Sequence, residues 1–421
     1  MSATWVAAGI FLLTYALIIT ERVHRTVAAL LGGLAMILLG ILPQDQAFQA
    51  VDWNVIFLLA GMMAIASVLR ETGLFQWVAL QAVRLGRGDS FRTLAILSLV
   101  TAAASALLDN VTIVVLVAPV TLFAAASLGV GPLPFLIAEI LASNIGGTAT
   151  LIGDPPNILI GSAAGIDFLT FSAHMTPVTL LILLAFLGLV RLFFGKDLRG
   201  RRASAADLEA LEEAALITNP DLLRKGLIVL AAVLLGFLAH GALRLEPATV
   251  AMSGATALLL WARNDPHDVL QDIEWTTLFF FIGLFITVEA VVKVGIIAAV
   301  ARAALRLTGG NLRLTSMLLL WLSALVSGVV DNIPYTATMV PVVRSLGETM
   351  PVMPLWWSLA LGACLGGNAT LVGASANVVV ASLAERSGHP IRFGEFLRYG
   401  VATTVVSLGV ASLYLWVRYL L

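Results

Sequence analysis

Two apolar stretches of this chain are each interrupted at the middle by the same polar pair, Asp109-Asn110 and Asp331-Asn332, and the two pairs lie 222 residues apart. Roughly 17 mostly apolar residues flank each pair on either side, which puts a carboxylate near the midplane of any membrane the stretch enters, at a cost of about 2.5–3.5 kcal/mol. The offset of 222 also aligns Trp53 with Trp275, Phe57 with Phe279, Gly61 with Gly283, Gly73 with Gly295, Ser105 with Ser327 and Pro119 with Pro341. At an offset of 220, Gly146-Gly147-Thr148-Ala149-Thr150-Leu151-Ile152-Gly153 falls on Gly366-Gly367-Asn368-Ala369-Thr370-Leu371-Val372-Gly373, and Asn157 on Asn377. One duplicated unit with a small change of loop length accounts for both offsets.

The solvent for that unit is lipid. Of 421 residues, 60% are hydrophobic and 12% charged, against about 45–50% and about 25% in soluble domains, which excludes a soluble enzyme. A net charge of −1 favours no nucleic-acid partner, and the single cysteine, Cys364, excludes an internal disulfide. Apolar stretches at 3–20, 26–42, 55–69, 176–194, 226–243, 247–262, 276–292 and 399–420 are long enough to cross as helices. Regions 92–127, 133–164, 314–343 and 353–384 are apolar but broken midway, and backbone leaves the helix at that depth only where protein or a wet cavity satisfies it.

The expected fold is an all-α polytopic membrane protein of two inverted repeats, with about ten transmembrane helices, two re-entrant hairpins and two broken helices. The first repeat spans 1–195, with scaffold helices in 1–90, a hairpin at 92–127 and a broken helix at 133–164. A cytoplasmic linker covers 196–225. The second repeat spans 226–421, with scaffold helices in 226–306, a hairpin at 314–343 and a broken helix at 353–384. Arg22, Arg25, Arg70, Arg84, Arg87, Arg92 and the Arg-rich linker fall in the cytoplasm by the positive-inside rule, with both termini outside and the chain multi-pass in the inner (plasma) membrane. The basic cluster follows the first span rather than preceding it, so that span is retained and not cleaved.

Matched breaks in two halves of a membrane protein mark a secondary transporter whose site lies at the repeat interface. Glycine and proline alone would only kink packed helices; the paired Asp-Asn dipeptides add a polar cost that packing does not require. Asp109 and Asp331 are candidates for carrying the coupling proton or cation, and each also suits the N-cap of its hairpin's returning helix. Asp154 and Glu139 join them as carboxylates of one half only, since Ala374-Ser375-Ala376 stands where Asp154-Pro155-Pro156 does, and Leu359 where Glu139 does. Glu289, aligned with Ser67, is a further acid within a span.

Candidates for contacting the solute are Asn110, Thr112, Asn144, Gly146, Gly147, Thr148, Thr150 and Asn157 in the first half. Their counterparts are Asn332, Cys364, Gly366, Gly367, Asn368, Thr370, Ser375 and Asn377. The glycines allow backbone to approach a solute, and the amides, hydroxyls and helix N-termini suit a neutral or weakly anionic, oxygen-rich one. No Lys or Arg lies within either motif, so a multiply charged anion lacks a fixed cation there. Cys364 aligns with Asn144, where a thiol either meets a thiophilic metalloid or packs as a small residue. No cofactor or resident metal is expected, because His174 and His240 share no spacing with the acids or the cysteine.

Asp109-Asn110-Val111-Thr112 with Pro119, followed by Asn144-Ile145-Gly146-Gly147-Thr148-Ala149-Thr150-Leu151-Ile152-Gly153-Asp154-Pro155-Pro156-Asn157, resembles the ArsB/NhaD permeases of the ion transporter superfamily, in the arsenite-permease and P-protein-like branch. The resemblance covers essentially the whole chain. It implies two inverted repeats, each with scaffold helices and a transport part of hairpin and broken helix that moves as an elevator. It also implies proton-coupled export of arsenite or antimonite, mainly as the neutral hydroxide, with a soluble ATPase and a second copy of the chain as associations that such permeases allow. Two other functions fit the residues: a sodium/proton antiporter, and a cation-coupled symporter of a small carboxylate or other small oxyanion. A channel is the outsider.

Overall fold

In the computed structural model, which describes residues 3–20, 22–195, 198 and 217–421, the described residues form helices and connecting turns with no strand. The first half contains α1 (Ala3–Thr20), α2 (Arg25–Leu38), α3 (Gln44–Gln49), α4 (Trp53–Arg70), α5 (Leu74–Leu85), α6 (Ser90–Ser105), α7 (Asn110–Ser127), α8 (Leu133–Gly147), α9 (Pro155–Ala164) and α10 (Phe168–Phe194). The second contains α11 (Pro220–Leu243), α12 (Pro247–Ala262), α13 (Pro266–Gln271), α14 (Trp275–Lys293), α15 (Ile296–Thr308), α16 (Leu312–Ser327), α17 (Asn332–Leu346), α18 (Met353–Gly366), α19 (Ser375–Arg386) and α20 (Phe393–Leu415). From α2 to α7, each first-half helix begins 222 residues before its counterpart, from Arg25 and Pro247 to Asn110 and Asn332.

The expected hairpins are α6–α7 and α16–α17, turning at 106–109 and 328–331. The broken helices are α8–α9 and α18–α19, unwound over 148–154 and 367–374. Of the eight expected spans, α1, α4, α10, α11, α14 and α20 are long and apolar enough to cross alone, and α7 joins them. Of the other two, α12 has the expected bounds, with 16 residues, while α2, with 14, is shorter than the expected 26–42. Gly40, at φ +70, turns the chain soon after α2 ends. By contrast α10 starts well before 176, because Asp167 caps it by accepting from Thr170 N at 2.8 Å, and it continues through Pro177. The pair α15–α16 bends by 119°. Of the expected linker, residues 196, 197 and 199–216, with Arg199, Arg201 and Arg202, lie outside the described residues, while 220–225 already belong to α11.

The halves interleave. Helix α2 packs on α14 of the other half and α12 packs on α4; likewise α7 packs on α19 and α17 on α9. Such reciprocity is that of a two-fold axis. Close crossing depends on small residues, as is usual where lipid supplies no hydrophobic drive between helices. A Cβ on Gly283 would lie 2.5 Å from the Ala29 carbonyl carbon, and one on its mate Gly61 would lie 2.8 Å from that of Ala251. The contacts sort the helices into two bodies. One is a scaffold of α1, α2, α4, α11, α12 and α14; the other holds both hairpins, both broken helices, α10 and α20. Leu12 and Leu13 on α1, and Leu180, Leu181 and Leu184 on α10, face outward as a lipid-bathed surface requires.

Candidate solute site between the repeats

Each hairpin tip is built the same way. Asp109 caps α7, accepting from Thr112 N at 2.9 Å and from Thr112 Oγ1 at 2.5 Å. Asp331 caps α17, accepting from Ile333 N at 3.0 Å and from Ser375 Oγ at 2.7 Å. Both therefore satisfy N–H groups that a helix start leaves open. The backbone after each cap is tied to the neighbouring unwound segment: Asn110 N donates to Gly153 O at 3.2 Å and Asn332 N to Gly373 O at 3.3 Å.

The unwound segments expose carbonyls that the same few residues satisfy in both copies. Asn157 Nδ2 donates to Gly147 O at 3.0 Å and Thr150 O at 2.9 Å; Asn377 Nδ2 donates to Gly367 O at 2.7 Å and Thr370 O at 2.8 Å. Thr150 Oγ1 donates to Ala106 O at 2.5 Å and Thr370 Oγ1 to Gly328 O at 2.6 Å. Thr148 Oγ1 returns to Asn144 O at 2.8 Å. These polar side chains, expected to face a solute, hold the break itself together, which is what non-helical backbone at this depth requires. The glycines are similarly engaged. A Cβ on Gly146 would lie 2.1 Å from Ala102 O and one on Gly366 2.5 Å from Ala324 Cα, so both admit the hairpin backbone. Gly147 lies against Gly153, and Gly367 against Gly373.

The two halves meet at Asn144. Its Oδ1 accepts from Asn110 Nδ2 at 3.0 Å, while its Nδ2 donates to Asn368 Oδ1 at 2.9 Å and Asn377 Oδ1 at 2.8 Å. Asn368 Nδ2 donates to Leu141 O at 3.3 Å. All four amides are buried, and Asn110 Oδ1 alone among their side-chain atoms has no partner. Beside them Asn332 donates to Asp154, and Cys364 Sγ donates to Asn157 Oδ1 at 3.3 Å. Glu139 is buried more than a turn before Asn144 in α8, outside this network, with Thr121 as a polar neighbour.

Four contributors were not singled out as site residues from the sequence. Arg25, the first residue of α2, donates to Ser375 and forms an ion pair with Asp331 at 3.3 Å. The motifs themselves carry no Lys or Arg; the cation beside the second one comes from the scaffold, and Asp331 already pairs with it. A cation at the start of a helix sits at the unfavourable end of its dipole, so Arg25 signalled the need for an acid, but a separation of 306 residues concealed which one. Tyr15 donates to Pro334 O at 2.8 Å and also meets Thr338, joining α1 to α17. Ser143 Oγ donates to Asn110 O at 3.2 Å. Glu274, at the entrance to α14, is raised above its ordinary value by burial and then by the Asp109 charge, which outweigh Thr277 and Arg25.

The CitMHS family, described as a citrate transporter, is matched by residues 15–362. An uncharacterized transporter of Mycobacterium tuberculosis is 46% identical over 98% of this chain and 98% of its own, and a 46 kDa membrane protein of Mycobacterium leprae is 46% identical over 99% of each. The human P protein is 35% identical over 99% of this chain, which spans 60% of that protein. Among solved structures, the YdaH transporter of Alcanivorax borkumensis superposes with a TM-score of 0.63 at 15% identity, covering 99% of this chain and 98% of that one. At that identity the likeness concerns the fold alone.

Proposed function

The chain belongs to the CitMHS citrate transporter family, and on that premise we propose that it carries a small, oxygen-rich anion, a carboxylate foremost, across the inner (plasma) membrane by alternating access coupled to protons or sodium. The observation that carries this reading is Asn144, one amide bonded to partners from both repeats at the point where both broken helices unwind. A polar centre shared by two inverted copies is where such a carrier holds its solute, and only there does exchange of conformation between the copies expose it to each side in turn. Arg25, paired with Asp331, offsets the negative charge of that carboxylate at the edge of the centre, and α19, which has Ala374 and no acid at its cap, is the open helix N-terminus beside it. Asp109, Asp154, Asp331 and Glu139 are the carboxylates available to the coupling ion. The hairpins and broken helices move against the scaffold as an elevator, with Arg70 and the start of α2 on the cytoplasmic side.

The test is tracer uptake into proteoliposomes. Radiolabelled citrate or succinate accumulates under an imposed proton or sodium gradient and stops when the gradient is collapsed. Correctly inserted protein that accumulates no carboxylate under either gradient overturns the reading. A second reading, export of arsenite or antimonite as the neutral hydroxide, is supported by the Cys364 thiol lying among the amides and beside Asp154. It requires protection of arsenite-sensitive cells, and membrane-inserted protein that confers none removes it.

A further inference from the structure

The scaffold assigns each polar group to one of two faces. Helices α2 and α14 run parallel, with Thr26 Oγ1 donating to Thr276 O at 2.7 Å near their starts and Gly33 against Ile286 further on. Helix α4 runs opposite to them: Arg70 at its end pairs with Asp272 just before α14, and Lys293 at the end of α14 reaches Gln46 just before α4. Arg25, Arg70 and Glu274 therefore lie at one face, and Asp52, Glu289 and Lys293 at the other.

Between the scaffold and the hairpins lie two crevices whose walls are repeat mates. Met63, Ala66, Val115 and Glu274 line the one on the Arg25 face, and Phe285, Val288, Ala337 and Asp52 line the other. Their volumes differ, about 50 Å³ against about 400 Å³. The two mate crevices are thus not equivalent, as in a molecule whose inverted repeats hold different conformations that they can exchange.

The repeats also differ in how the scaffold meets the hairpin tips. Arg25 bonds to Asp331 and to Ser375 and lines a further cavity of about 330 Å³ between α1 and the start of α19. The mate of Arg25 is Pro247, which has no side-chain donor, and the side-chain and backbone donors to Asp109 both come from Thr112 in its own helix. When the copies exchange conformations, the Asp331 tip leaves the start of α2, and the mate position offers no replacement.

We propose that Arg25 is a positioning residue, a clamp from the scaffold to the second hairpin that exists in only one access state and so weights the resting population toward the state seen here. The proposal rests on the alternating-access part of the reading above and not on the identity of the solute.

The test uses full-length protein in nanodiscs, which expose both faces, in a Cys364→Ala background. Phe285→Cys and Met63→Cys report the two crevices through their rates of reaction with fluorescein maleimide. With Arg25 intact, Phe285→Cys, at the half-buried position, reacts faster than Met63→Cys, at the buried one. Arg25→Gln shifts the ratio of the two rates about three- to fivefold toward Met63→Cys, and Arg25→Lys restores it. If Arg25→Gln fails to fold, Ser375→Ala removes one of the two acceptors of the guanidinium and shifts the ratio in the same direction. Rates that stay unchanged, or that rise or fall together, overturn the clamp whatever the tracer experiment shows. A shifted ratio in protein that moves no carboxylate upholds the clamp and removes only the solute assignment.

Discussion

Asn332 spans the boundary between the repeats to reach Asp154, its Nδ2 lying 3.3 and 3.1 Å from the two carboxylate oxygens, whereas its mate Asn110 meets an amide, Asn144, at 3.0 Å. The same residue of the duplicated unit thus serves a carboxylate on one side and an amide on the other. Asn332→Ala leaves Asp154 buried without that donor and lowers stability by about 1–3 kcal/mol, read as a lower unfolding midpoint in detergent. Asp154→Asn retains a polar partner for Asn332, so the protein stays monodisperse while gradient-driven uptake falls to background.

The two hairpin caps separate folding from coupling. Asn caps a helix about as well as Asp, so Asp109→Asn and Asp331→Asn leave the elution profile of the purified protein intact and abolish gradient-driven flux. The alanine variants also lose the cap, at about 0.5–2 kcal/mol each. Wild-type flux in both asparagine variants would remove the coupling role from these residues.

Packing of hairpin on broken helix leaves no room for a methyl group. Gly146→Ala places a Cβ 2.1 Å from a backbone oxygen, which cannot swing aside as a side chain does. Overpacking of this kind costs about 1–3 kcal/mol or more, and Gly366→Ala suffers the same fate. Gly188→Ala on α10, with no atom within 4 Å, is the control. Fluorescence-detected size exclusion should show aggregated protein for the first two and a single peak for the third.

At the membrane surface, Asp272 gives a pH dependence of known sign. Burial alone would raise its carboxyl, but the hydrogen bonds from Ser67 and Arg70 and the Arg70 charge outweigh it and hold the group below its ordinary 3.8. A depressed carboxylate contributes stability that is complete above its unfolded value and is lost as pH falls through the folded one. Thermal midpoints measured in detergent from neutral pH into the acid range should therefore fall less steeply for Asp272→Asn than for the parent below about pH 4.

Much of this was legible because duplication writes the same signal twice. The hairpins and the unwound segments follow from residues that recur at offsets of 222 and 220, and each pattern is local. What was not legible depends on contacts across the fold. Arg25 read only as a marker of membrane orientation, because its partner is 306 residues away and its mate is a proline. The threonines and glycines of the motifs read as solute contacts, whereas the structure commits Thr150, Thr370, Gly146 and Gly366 to backbone. A chemical pattern cannot distinguish a hydroxyl that binds a ligand from one that seals a break, since both need a polar atom at the same depth.

The crossed packing of α2 on α14 and of α12 on α4 means that neither half owns a complete interior. Either half alone would leave a face of α2 or of α4 bare, and only two copies in opposite orientation close both.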